Sequence, residues 1–252
     1  MDAIVVIQVR MGSSRLPGKA MLPLDGRSAL IHEINRAASV HGIDRDDVIV
    51  ATSENPRDDI IAITARDAGA AVYRGSEANV VGRVANAVEE AGADIAARLC
   101  GDNTLIDPGL PEALLETVRK DGIAYASSKF EHTFPIGHNA DAFTRDAITR
   151  AARNADSDHH REHVAQYFKE YRDEIPAVNV TAEEVFGNEF VDSIPTLPKL
   201  RLTLDEADDY RLLSRVYKQV AYDQILDTRD AIRYIVNTNL QRINADVEQQ
   251  VW

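Results

Sequence analysis

Ala3-Ile4-Val5-Val6-Ile7-Gln8-Val9-Arg10-Met11-Gly12-Ser13-Ser14-Arg15-Leu16-Pro17-Gly18-Lys19 is the stretch on which the fold turns. Ala3–Val9 is an almost unbroken apolar run, too short for a buried helix and of the kind expected of a strand covered on both faces. It releases a loop that holds two glycines, two serines, two arginines and a lysine. After Ser28, apolar residues return at helical spacing, with Leu30, Ile31, Ile34, Ala37 and Ala38 on one side. A buried strand, a glycine-bearing loop and a helix form the opening unit of an α/β sheet, and ligands of such sheets sit at the carboxyl ends of the strands.

The same rhythm runs on from there. Val48–Ala51 reads as a second buried strand, and Pro56 opens a helix whose apolar side is Ile60, Ile61, Thr64 and Ala68, closed by Gly69. Ala71–Tyr73 is a third strand, Val80–Ala91 a helix, Ile95–Leu99 a fourth strand, Pro111–Val118 a helix and Ile123–Ala126 a fifth strand. This alternation predicts a three-layer α/β fold, with βαβ crossovers and a mostly parallel sheet. After Ser127 the pattern loosens. Lys129–Asn139 is turn-rich, and strands are read at Ala140–Phe143, Ala177–Val180 and Leu200–Leu204. Helices are read at Asp146–Arg153, His160–Tyr171, Ala207–Tyr217 and Arg229–Asn237. No Gly/Ser/Pro linker divides the chain, so residues 1–252 are expected to form one domain with an excursion near 127–198.

Composition limits what such a domain does. The 252 residues carry 28 Lys+Arg against 41 Asp+Glu, a formal charge of −13, with 44% hydrophobic and 27% charged residues. That balance supports a real core and argues against disorder. Only six of the basic residues are Lys, and Asp outnumbers Glu by 25 to 16. Such a surface repels the phosphates of DNA and RNA, so no nucleic acid partner is expected. A dense coat of short carboxylates also suits a protein kept soluble in strong salt, and halophilic origin is the corresponding expectation. The apolar runs are too short to span a membrane and the first residues lack a basic n-region, which points to a cytoplasmic protein. The single cysteine excludes an internal disulfide and a cysteine-cluster metal site.

Within an acidic chain, the cations of the first loop stand out. Backbone N–H groups of a glycine-containing loop, with Arg and Lys, are the means to hold a polyphosphate. The loop is not a Walker A motif, since five residues separate Gly12 from Gly18 and Ala20 replaces the magnesium-binding hydroxyl. Two further strand ends carry carboxylates, Arg98-Leu99-Cys100-Gly101-Asp102 and Leu202-Thr203-Leu204-Asp205. Each Asp alone is as readily a turn former or helix cap. Converging on a triphosphate, the two would make a magnesium site for phosphoryl-type transfer.

At these residues the sequence resembles cytidylyltransferases that make CMP-activated sugars, in particular the spore coat polysaccharide biosynthesis protein F-like group. That group is related to the acylneuraminate and 3-deoxy-manno-octulosonate cytidylyltransferases. Matching segments follow in order: Gln8–Lys19, Val50–Ser53, Tyr73–Glu77, Gly101-Asp102, Leu105–Pro108, Thr133–Pro135, Arg161–Val164 and Arg201–Asp205. The resemblance implies a nucleotide-diphospho-sugar transferase (Rossmann-like) fold and transfer of CMP from CTP to a sugar or sugar acid, with release of pyrophosphate, for surface glycan synthesis. It implies that Arg10, Lys19, Asp102 and Asp205 are catalytic. Gln8, Arg10, Gly12, Ser13, Arg15, Lys19, Ala51, Arg74, Ser76 and Asp102 would bind the nucleotide. Asp102 and Asp205 would hold Mg2+, and Pro135, Gly137, His138, Asn139, Arg161 and His163 would face the acceptor. A homodimer with its contact in the excursion is implied as well.

The sequence also departs from the family pattern. Asn103 and Thr104 follow Gly101-Asp102, where a small residue or Cys and then Pro is usual. Ile136 and Asn139 replace two acids of the usual sugar-side stretch, which bears on the acceptor pocket more than on the nucleotide pocket. His159 and His163 would share a helix face, but the H-E-x-x-H order of a zinc helix is missing. Cys100 reads as a packed thiol rather than a reactive one. The alternatives left open are the same fold using another nucleotide or a non-sugar acceptor, and a nucleotide- or glycan-precursor-binding protein without catalysis.

Overall fold

The computed structural model of the chain describes residues 1–248. Seven strands form the main sheet: β1 (Ala3–Gln8), β2 (Val48–Ser53), β3 (Ala71–Gly75), β4 (Ile95–Cys100), β5 (Tyr125–Ser127), β6 (Ala140–Thr144) and β7 (Ala177–Asn179). Their order is β3-β2-β1-β4-β6-β5-β7. Every neighbouring pair is parallel except those made by β6, which runs antiparallel to both β4 and β5. The fold is therefore the expected mostly parallel α/β sheet of the nucleotidyltransferase type. A two-stranded hairpin at Pro23–Leu24 and Arg27–Ser28 stands apart from it.

The first strand shows why its apolar run is continuous. Val5, Ile7 and Val9 enter one core cluster, while Ile4 and Val6 enter the other on the opposite face. The period-2 alternation of a strand splits one apolar run between two cores. Helices α1 (Ala29–Ala37), α2 (Asp59–Asp67) and α4 (Gly109–Val118) cover the first face, with α10 (Ala207–Gln219) and α11 (Thr228–Asn237). The second face is covered by α3 (Val80–Glu90), α5 (Arg145–Asn154), α6 (Asp158–Glu162) and α7 (Val164–Glu170). Two short helices, α8 (Ala182–Phe186) and α9 (Asn188–Ser193), add Phe186 and Phe190 to the first core.

Three local expectations need correction. In α2 the buried residues are Ile61, Ala62 and Ala65, while Ile60 is 44% exposed, because the helix turns its apolar stripe slightly away from the expected side. The helix expected over His160–Tyr171 is two helices, interrupted where His163 leaves helical geometry (φ −112°, ψ 90°). Leu200–Leu204 is extended but forms no ladder. Its sheet-like contact is a parallel bridge between Arg201 and Ile136, made through Ile136 N–H to Leu200 O and Leu202 N–H to Ile136 O. Residues 127–198 are woven into the main sheet, since β6 lies between β4 and β5 and β7 pairs with β5.

Candidate active site

The sheet register aligns the strand ends that carry the polar residues. Gln8 at the end of β1 lies opposite Ala51 of β2 on one side and Cys100 of β4 on the other. The loop after β1 turns at once, with Ser13 N–H and Gly18 N–H both donating to Met11 O, and Gly18 takes a left-handed conformation at φ 72°. Its first residues are pinned to the β2 end by the buried Asp58, which accepts from Met11 N–H at 2.8 Å and from the Ser53 hydroxyl. The turn after β4 is seated as closely. Gly101 N–H donates to Gln8 O at 2.8 Å, and a Cβ on Gly101 would stand 2.5 Å from Val9 Cβ, so only glycine lets this turn lie against β1.

A cleft of about 340 Å³ opens over these ends. Gln8, Arg10, Gly12, Ser13, Arg15, Lys19, Cys100, Asp102, His163 and Asp205 line it, with Val80, Arg83 and Glu162. At its centre Lys19 Nζ lies 2.7 Å from Asp102 Oδ2 and 2.5 Å from Asp205 Oδ1. The carboxylates, 103 residues apart in sequence, thus meet around one ammonium. Burial alone would favour neutral Lys19, but the charges of Asp102 and then Asp205 outweigh it and hold the ammonium above the ordinary lysine value. Burial likewise works against ionised Asp205, and Lys19, Arg15 and Arg201 hold its carboxyl below the usual range. Arg15 lies 3.1 Å from Asp205 Oδ2, and Arg10 pairs loosely with Glu77 at 3.6 Å and Glu162 at 3.5 Å.

The backbone around Asp205 is fixed from below. Asp209, fully buried in the first turn of α10, accepts from the N–H groups of Asp205 (3.1 Å) and Glu206 (3.0 Å). Two parallel bonds at 2.9 and 3.0 Å join it to Arg201, and Asn244 adds a third donor at 2.8 Å. Leu204 N–H donates to Asp102 O at 2.9 Å, tying the two acid-bearing turns together through the main chain. Behind Asp102, the carboxyl of buried Glu33 is driven toward its neutral form, first by desolvation and then by the charge of Asp102.

Other sequence candidates lie elsewhere. Ala51 is fully buried and its carbonyl accepts from Val9 N–H. Arg74 braces the turn after β2, donating to Ser53 O and Asn55 O and pairing with Asp59, while exposed Ser76 caps Asn79 N–H. None of the three lines the cleft. The segment Pro135–Asn139 likewise lies off the cleft lining. Pro135, Gly137 and His138 are buried, and Asn139 offers its carbonyl to Asn103 Nδ2 at 3.0 Å. The physical reason is backbone packing: Gly137, at φ 100°, presses on the chain at residues 202–203, where a Cβ would come within 2.5 Å of Thr203 N. His138 sits in the core 6.0 Å from the ring of Phe186, and burial pushes its pKa down to about 3. Arg161 pairs with its helix neighbour Asp158 at 3.3 Å, whereas the adjoining Glu162 and His163 reach the cleft.

Sequence reasoning missed Arg83, which α3 delivers to the cleft 2% exposed, with its Nε lacking a hydrogen-bond partner among the described residues. Desolvation and the nearby Arg10 lower its pKa against the opposing charges of Asp58 and Glu77, and its Nη1 donates to Ser76 O at 2.6 Å. An Arg on an otherwise apolar helix stripe was the available signal. Also missed was the ion cluster below the floor. Arg98 pairs with fully buried Asp141 and donates to Gln8 Oε1 at 2.9 Å, while Tyr125 and Ser127 donate to Asp141 at 2.6 and 2.8 Å. Desolvation raises the pKa of Cys100, a half-buried residue on the cleft lining, above the ordinary thiol value. A separate open groove of about 480 Å³ lies beside Arg27, Asn35 and Arg45. Its two arginines are engaged with Gln224 O, Ala68 O and Asn35, so it offers no convergent chemistry.

Asp102 and Asp205 supply the hard carboxylate oxygens that could hold a divalent cation, and Lys19 Nζ sits between them. Among the described residues no group of three or more His, Cys, Asp or Glu gathers as an all-protein metal cage. No helix among them is long and apolar enough to cross a membrane.

A family model described as cytidylyltransferase matches residues 4–229. The chain is 29% identical to the spore coat polysaccharide biosynthesis protein SpsF of Bacillus subtilis, over 86% of this chain and 87% of that one. It is 40% identical to a 3-deoxy-manno-octulosonate cytidylyltransferase of Anaeromyxobacter dehalogenans over 44% of this chain and 45% of that one. A cytidylyltransferase structure from Leptospira borgpetersenii superposes with a TM-score of 0.85 at 26% identity, covering 100% of this chain and 99% of that one.

Proposed function

Because the chain belongs to the cytidylyltransferase family, we propose that it transfers CMP from CTP to a hydroxyl of a sugar or sugar acid, releasing pyrophosphate, for surface glycan synthesis. The observation that carries this reading is the meeting of Asp102, Asp205 and Lys19 beneath a loop bearing Arg10 and Arg15. The acceptor oxygen forms a bond to the α-phosphorus while the bond from the α-phosphorus to the oxygen bridging it to the β-phosphate breaks, pyrophosphate leaves, and the hydroxyl proton passes to solvent water. Both the approach of the acceptor and the departure of pyrophosphate are opposed by negative charge. Arg10, Arg15 and Lys19 are positioned to neutralise it, and cleft-lining Arg83 adds a cation on the far wall. Asp102 and Asp205 would hold Mg2+, which when bound supplies charge neutralisation on the phosphates.

Gln8 and His163 line the same cleft and would meet the nucleotide or the acceptor. The same reading includes a homodimer whose contact lies in residues 127–198; light scattering that finds monomer alone would remove it. The activity is tested by pyrophosphate release from CTP, UTP, GTP and ATP against a panel of 2-keto sugar acids and non-sugar phosphate acceptors. CTP-dependent release with a sugar acid is expected. Release with another nucleotide, or CTP binding without release from any acceptor, would replace this reading by one of its rivals.

A further inference from the structure

The cleft already contains a cation where the carboxylates converge. Lys19 Nζ touches one oxygen of each, and its side chain is only 14% exposed. The second oxygen of Asp205 is within 3.1 Å of Arg15 and 3.7 Å of Arg201. The acidic pair thus carries its own counter-charge in the unliganded chain. A divalent ion alone must compete with an ammonium at contact distance, and the expelled ammonium would enter a cleft walled by Arg10, Arg15 and Arg83, whose further carboxylate, Glu162, is already shared with Arg10. A triphosphate changes the balance, because it is an anion able to receive Lys19 while bringing oxygens for the metal.

We propose that Lys19 stands in for the metal in the unliganded protein, so that Asp102 and Asp205 accept a divalent ion only when nucleotide phosphates draw the ammonium away. This rests on the reading of the cleft as a nucleotide and metal site. It makes metal and nucleotide strongly coupled ligands, each raising the affinity of the other by the same factor, roughly 5- to 150-fold for linked sites. It also gives Lys19 a second task beyond its contact with phosphate: it holds two like charges together before substrate arrives.

The test is Mn2+ binding to the nucleotide-free full chain, followed by the electron paramagnetic resonance signal of free Mn2+. Lys19→Met keeps an unbranched apolar stem and removes the charge. It should bind Mn2+ at least about tenfold more tightly than the natural chain, and adding Asp102→Asn to it should abolish the gain. Equal or weaker binding by Lys19→Met, or a gain that survives Asp102→Asn, overturns the inference. A second measurement needs no variant. Millimolar Mg2+ alone should leave the melting temperature of the natural chain unmoved, whereas Mg2+ with CTP raises it beyond CTP alone. A rise with Mg2+ alone equal to that with Mg2+ and CTP counts against the proposal. Its failure would leave pyrophosphate release untouched, and absence of release would leave the Mn2+ comparison standing, so the two readings fail separately.

Discussion

Two ion clusters lie near the carboxyl ends of β1 and β4, and they are built for opposite purposes. In the Lys19 cluster the three side chains keep 14–23% of their surface exposed, and their partners are charges that a ligand can replace. In the Arg98 cluster the side chains are 5% and 0% exposed, and Asp141 is held by Arg98, Tyr125 and Ser127 together. Burial opposes the charge on Asp141, yet Lys129 and Arg98 hold its carboxyl well below the usual range. A pair meant to be exchanged stays at the rim of the solvent. A pair meant to hold the floor is buried, with Asp141 held by three donors, although Arg98 Nε has no partner among the described residues.

The sharpest way to break this contrast is Asp141→Ala, which leaves the buried Arg98 cation unpaired. It should cost about 3–5 kcal/mol of stability, read by denaturant unfolding. A loss below about 1 kcal/mol would place Arg98 in reach of water and end the distinction. Next comes Asp102→Ala, expected to lower turnover by about 10²–10³-fold in the pyrophosphate assay while the melting temperature changes little. Unchanged turnover at saturating Mg2+ would take Asp102 out of the chemistry.

The buried side also has a neutral member in His138. Its folded pKa near 3 lies below the ordinary value of 6.5, so in that interval the unfolded chain binds a proton the folded chain does not. Stability should therefore fall as pH drops from 6.5 toward 3, by up to about 1.4 kcal/mol per unit. His138→Leu should flatten this limb of the melting curve, and an unchanged limb would assign it to other groups. The smallest effect concerns the outer surface, where the acidic coat predicts a melting temperature that rises gradually with molar KCl. A flat or falling response removes the halophile reading and leaves both clusters as described.

These clusters also show which part of the molecule is legible in one dimension. The Gln8–Lys19 loop, Gly101-Asp102 and Leu204-Asp205 each end an apolar run, so their chemistry and position can be read locally. Arg98 and Asp141 cannot be paired that way, because β6 inserts antiparallel between β4 and β5 and brings together residues 43 apart. Arg83 and Glu162 reach the cleft from helices on one face of the sheet, and helical spacing alone does not say where a helix end will dock. The placement of Pro135–Asn139 is illegible for a different reason. Its family likeness suggested an acceptor contact, whereas Gly137 seats the backbone against Thr203 and turns His138 inward.

The bond from Leu204 N–H to Asp102 O belongs to the main chain, so any residue except proline at 204 would preserve it. The main chain therefore sets how far apart the two acid-bearing turns stand, while Lys19 and Arg15 set how the acids face each other. Exchanging either acid for its amide would take one charge out of that contact and leave the spacing of the turns intact.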